Sequence, residues 1–247
     1  MFRTILFSAF GAGVAVCLAL TALQMFTTEP LILHAEEFEG AGHSHGPAAA
    51  HDHGADAAAA AAHDLDADAA AAAADEPEEW GPADGFERTA FTALANFVIG
   101  IAASLILIAL MILSGRPINV RTGVLWGAGA FVAVALLPGL GLPPELPGTP
   151  AGELLDRQVW WFGTAIASAI GIGLIAFGGS WLTTVAGLVV IVIPHIIGAP
   201  VPPSHDVDYP GALAGEFVVA SMVVSLVLWS LAGAASGWLY KRMAPTA

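Results

Sequence analysis

The sequence predicts an all-α polytopic membrane protein with six transmembrane helices (five is the alternative) and a long outer loop, partly disordered, after the first. Three observations predict it. Hydrophobic residues make up 57% of the 247-residue chain and charged residues only 11%, less than half the soluble share of about 25%. Apolar runs approaching or exceeding the roughly 20 residues that cross hydrocarbon as helix recur along the chain. The few basic residues fall at the ends of these runs in an alternating pattern that fixes an orientation.

The first run, at about 4–26, follows Arg3. Its apolar stretch exceeds the roughly 7–15 residues of a signal-peptide h-region and no small-x-small site follows, so it reads as a retained helix. Residues 27–88 form the outer loop. Its start, Glu29 to Glu39, keeps Leu31, Ile32, Leu33 and Phe38 and is expected to lie along the outer membrane surface against the bundle. Residues 41–77 are low-complexity, alanine blocks punctuated by Asp and His, with too little apolar surface to offset the entropy of ordering. The remaining runs lie at about 89–113, 123–140, 159–178, 181–198 and 212–238, giving a bundle over 89–247. Gly178-Gly179-Ser180 divides 159–198 into two helices, because paired glycines make a turn cheap and a continuous helix costly. Glycines four apart, Gly123/Gly127, Gly211/Gly215 and Gly233/Gly237, let helix backbones approach in lipid, here chiefly within the molecule.

With the N-terminus inside, Arg3, Arg116, Arg121, Lys241 and Arg242 are cytoplasmic and only Arg88 and Arg157 lie outside. All 21 acidic residues then fall in outer loops or near outer helix ends. An even number of spans is required for both ends to agree.

Composition also excludes functions. A formal net charge of −14 with seven basic residues is no nucleic-acid surface. No phosphate-binding loop ending Gly-Lys-Ser/Thr occurs, so the chain is not itself an ATPase, and no catalytic motif or tightly bound cofactor is expected. Cys17, the single cysteine, permits no intrachain disulfide.

What remains is metal chemistry. Six of the eight histidines lie between His34 and His63. His43, His45, His51, His53 and His63, interleaved with Asp52, Asp56, Asp64, Asp66 and Asp68, present imidazole and carboxylate donors suited to divalent cobalt, nickel, copper or zinc. An unstructured string of this kind follows the general affinity order rather than choosing one metal. It is read as an accessory concentrator whose loss raises the half-saturation concentration more than it lowers the maximal rate. A solubilising acidic tether is the plainer reading of the same residues.

A sparser set lies beside the bundle: His34, Glu36, His195, His205, Asp206 and Glu216, with Glu37, Glu39, Asp156 and Asp208 nearby. His195 follows Pro194 inside an apolar run, and a histidine there is a functional-site hypothesis by default; a structural histidine at the interface is as good a reading. Asp156-Arg157-Gln158 followed by Trp160 and Trp161 reads mainly as an interfacial anchor. No charged residue falls near the middle of a span, so the interior offers only Asn96, Ser104, Thr164, Ser168, Thr183, Thr184, Ser221, Ser225, the methionines and glycine-exposed carbonyls.

Three stretches resemble the CbtA family of cobalt transporter subunits. They are Met1-Phe2-Arg3 through to Pro30-Leu31-Ile32-Leu33-His34-Ala35-Glu36, Asp156-Arg157-Gln158-Val159-Trp160-Trp161, and Pro194-His195-Ile196-Ile197-Gly198-Ala199-Pro200. The resemblance implies a multi-pass subunit of the bacterial inner membrane for cobalt entry, acting with a small one-span, histidine-bearing partner, CbtB. The chain departs from the family twice: five spans are usual there, and 41–77 is longer than the family requires, so no essential role carries over to His43–His63. A non-transporting metal chaperone, sensor or scaffold is the competing class, favoured by the absence of deep polar groups. A haem enzyme is weaker, since only His195 lies within a span.

Overall fold

The computed structural model describes residues 2–42 and 82–244, with side chains of 39–42 left aside. Within them the chain is helical: α1 (Phe2–Phe26), α2 (Thr28–Gly42), α3 (Phe86–Leu113), α4 (Val120–Phe131, continued through Val132–Leu136 and Leu137–Gly139), α5 (Leu154–Phe177), α6 (Trp181–Ile197) and α7 (Gly211–Met243). Five of these are long and apolar enough to cross a membrane: α1, α3, Val120–Gly139, α5 and α7. The sixth expected span is the 17-residue α6, about 25 Å long and at the short end of what spans.

The break between α5 and α6 falls at the expected place. Gly179 takes φ +68°, a backbone conformation natural to glycine. Ser180 then caps α6 in a box with Thr183: the Ser180 side chain accepts from the Thr183 N–H, and the Thr183 hydroxyl accepts from the Ser180 N–H. α6 runs back along α5, and their far ends meet where Trp160 Nε1 donates to the Pro194 carbonyl at 3.2 Å. α6 therefore returns the chain to the face on which α5 began, as a sixth crossing requires.

Contacts at that face fix the rest of the topology. Ala35 of α2, Leu146 after α4, Tyr209 before α7 and Leu213 within it form one buried cluster. Arg88 at the start of α3 pairs with Glu36. The ends of α1, α4 and α6 and the starts of α3, α5 and α7 thus share one face, and the start of α1 and the end of α7 lie at the other.

The core is built from α1, α3, α4 and α7. Ala9, Val16 and Leu20 meet Ala103, Leu107, Ile108 and Met111, with Val224 and Ala232 from α7. Two glycine-lined seams bring backbones together. Gly13 of α1 meets Ile101 of α3. Along α4 and α7, Gly123 faces Gly233, Gly127 faces Trp229, and Gly237 faces Asn119. Two of the three expected glycine pairs therefore work within the molecule. The third does not: a Cβ on Gly211 or Gly215 would meet nothing within 4 Å.

The wide turn Val132–Leu136 has a cause in Pro138. Proline lacks the N–H that would bond the Val134 carbonyl, and its ring crowds that carbonyl; the ladder widens there, with the Leu137 N–H reaching the Val132 carbonyl. Apart from α6, α5 packs mainly against this turn and its continuation, while α6 contacts α5 alone. Side chains such as Leu18 at 69% exposed and Val189 at 54% point outward into what is hydrocarbon in the membrane.

Asn96 ties α1 to α3. Buried at 5% exposed, its Nδ2 donates to Thr21 Oγ1 at 3.0 Å and to Gln24 Oε1 at 2.6 Å. In lipid such bonds are worth about 0.6 kcal/mol each, at most about 1.7. Asn96→Ala is expected to destabilise the folded chain in detergent by about 1 kcal/mol, measured by equilibrium unfolding; a change too small to resolve would show the bonds to be incidental.

Candidate functional site

Every described acidic side chain lies on the face that carries α2: Glu29, Glu36, Glu37, Asp84, Glu87, Glu145, Glu153, Asp156, Asp206, Asp208 and Glu216. Arg3, Arg116, Arg121, Lys241 and Arg242 lie at the other face. The charge separation expected from the sequence is thus a property of the fold.

α2 turns Leu31, Ile32, Ala35 and Phe38 toward the bundle, the i, i+4, i+7 spacing of one helix face. That leaves His34 exposed, its ring 5.4 Å from Phe38. Glu36 is half-buried and engaged: Arg88 Nη2 donates to its Oε1 at 2.8 Å, while Arg88 Nε lies 3.3 Å from Asp84. A cation approaching Glu36 meets a carboxylate already neutralised.

The loop after α4 is pinned in the same way. Arg157 Nη2 donates to Glu145 Oε2 at 2.7 Å, and the Thr149 hydroxyl bonds that of buried Tyr209. Arg157, expected mainly as an interfacial anchor, is a strut between α5 and this loop. Glu145, Thr149 and Tyr209 carried no sequence signal, because nothing local links an acid in a proline-rich loop to its cation.

His195 sits in the last turn of α6. Its ring meets the Trp160 indole in an edge contact at 5.8 Å. Its Nε2 is buried with no hydrogen-bond partner, a costly state for a ring nitrogen. His205 and Asp206 are exposed in the loop before α7, the Asp206 N–H donating to Ser204 Oγ at 3.2 Å. Glu216 is exposed in the second turn of α7.

The expected ligands therefore share a face without converging. Among the described residues no three His, Cys, Asp or Glu side chains gather where a metal ion could be held. The accessory set His43, His45, His51, His53 and His63 lies outside the described residues. Of the polar residues the interior offers, Asn96, Ser104, Thr164 and Ser168 are buried, whereas Thr183 caps α6 and Thr184 is exposed. Ser8, Ser104, Ser168 and Ser236 bury hydroxyl oxygens without a partner.

An all-helical bundle of bilayer length, apolar on its lipid-facing sides and carrying its described acids at one end and most of its cations at the other, is a multi-pass membrane protein. The chain matches the model of the family described as "probable cobalt transporter subunit (CbtA)" over residues 2–241, and it belongs to that family. Membership makes it a subunit, with a partner and a membrane implied, and makes cobalt the implied substrate. No curated protein and no solved structure matches it.

Proposed function

We propose that the chain is the membrane subunit through which divalent cobalt, or nickel as the alternative, is taken up from outside the inner membrane. One observation supports this above the others: every described carboxylate lies on one face of a bundle that belongs to a cobalt-transporter family. The positive-inside tendency puts both termini in the cytoplasm and the carboxylates outside. There they raise the local cation concentration.

In this reading exposed His34, His205, Asp206 and Glu216 make the first contacts. His195, with a buried nitrogen lacking a partner, is the deeper ligand. Glu36 becomes a ligand only when Arg88 lets go of it. A small one-span, histidine-bearing partner of the CbtB kind would supply donors that the described interior lacks. With no nucleotide site in the sequence, the membrane potential, an ion gradient or a partner drives entry; the potential alone gives about 2.3 kcal/mol per charge at 100 mV, roughly 4.6 for a divalent ion. That supports about three decades of accumulation.

A cobalt flux assay in proteoliposomes, with and without the partner, tests the proposal. Potential-dependent entry with the partner present is the expected result. Metal binding with no flux under either condition would replace it with the second reading, a metal-binding chaperone, sensor or scaffold, which the lack of converging ligands among the described residues favours.

A further inference from the structure

The cation-bearing half of the molecule holds a cleft that includes none of the proposed metal ligands. About 530 Å³ in volume, it separates α4 from α5. Leu125, Gly129 and Ala133 form one wall, and Ala169, Gly173 and Ala176 the other. The small side chains leave a slot open along the hydrocarbon. A Cβ on Gly173 would meet nothing within 4 Å, and one on Gly129 would meet only Ile172, at 4.0 Å.

The slot's end is polar. Arg116 lines it and holds its guanidinium 4.6 Å above the ring of Phe177, which lines it too. Arg116 is exposed, and among the described residues no carboxylate lies on its face. Arg121, also exposed, immediately precedes Thr122 of the lining. Among the described residues the cation therefore has no counter-ion at headgroup level, and it sits directly over an apolar slot. An empty slot would forfeit dispersion contacts along both walls.

We propose that this cleft binds an anionic phospholipid, with the phosphate at Arg116 and an acyl chain between α4 and α5. Basic recesses between membrane helices bind acidic headgroups through this combination of charge and apolar wall. The cleft shares no residue with the proposed metal ligands and lies toward the face opposite every described carboxylate, so lipid retention can be read separately from cobalt uptake. Because α5 joins the bundle mainly through the wide turn of α4, the lipid fills the gap beside that joint.

Native mass spectrometry of the full chain in mild detergent tests this, with phosphatidylglycerol and phosphatidylcholine of identical chains offered together. Phosphatidylglycerol should be retained about fivefold over phosphatidylcholine, the factor that ~1 kcal/mol per contacting basic residue gives. Arg116→Gln should abolish the preference while keeping weak binding of both lipids. Gly173→Leu should displace both; Ala169→Leu, at another exposed wall position, is the second filling variant should the first fail to fold. Equal retention of the two lipids by the unaltered chain would overturn the proposal, as would phosphatidylglycerol held undiminished by the filled variants. Competition by inorganic phosphate alone would make it a free-anion site. A dimer that the filling variants dissociate would make a second copy the occupant.

Discussion

Gly123→Leu is expected to abolish the folded bundle, while Gly215→Leu leaves it intact. A Cβ at position 123 would overlap the carbonyl oxygen of Gly233, and the next atoms it meets are also α7 backbone. No rotamer relieves a clash with main chain, so the helices must separate. Separation cannot be local, because Gly127 and Gly237 lie on the same seam. Overpacking costs about 1–3 kcal/mol where side chains can yield; against backbone the cost lies above that range. The measurement is folded yield and thermal unfolding in detergent. A Gly123→Leu protein melting within a few degrees of the unaltered chain would show that the α4–α7 seam does not hold the fold. Gly215 belongs to the same four-residue pattern in sequence but meets nothing, which makes it the internal control.

That contrast marks how far the sequence was legible. Glycines four apart announce close approach but do not name the partner, and one pair of the three turns out to face open space. The paired-glycine break between α5 and α6 was readable because it is local, whereas the run 123–140 was expected as one uninterrupted helix and the widening before Pro138 came only from the structure. The extent of α6 was legible for the same local reason as the break: the run 181–198 was expected and the helix is Trp181–Ile197, with the Ser180–Thr183 cap setting its start. α2 was expected to pack against the bundle and does so, but only the structure makes it a helix. The acid-bearing face follows from counting charges, since lipid tolerates so few that their positions dictate the topology. The site residues were legible as residue types and not as an arrangement. The partner of Glu36 lies 52 positions away across the low-complexity segment, and that of Arg157 is an acid in an irregular loop. Ion pairs of this sort depend on which helix ends share a face. The unpartnered nitrogen of His195 likewise depends on Trp160, a residue of another helix.

Deletion of 43–77 should separate capture from passage. The segment carries five histidines, seven acids and no basic residue, and its loss halves the formal net charge of −14. In the proposed role it binds nothing selectively; it holds cations near the face where His34, His205, Asp206 and Glu216 are exposed. The field of such a segment raises encounter rates by about tenfold or more at low salt and much less at high salt. Deletion should therefore raise the half-saturating cobalt concentration about tenfold at low ionic strength, with the maximal rate little changed. The difference should shrink as salt is added. His195→Ala should do the reverse, lowering the maximal rate with a smaller effect on half-saturation, because its nitrogen is buried beside Trp160 and takes no part in first encounter. Initial rates of cobalt uptake at two ionic strengths measure both. If the deletion lowers the maximal rate and leaves half-saturation alone, the segment belongs to the path itself, and selectivity must be sought among its histidines instead of beside the bundle.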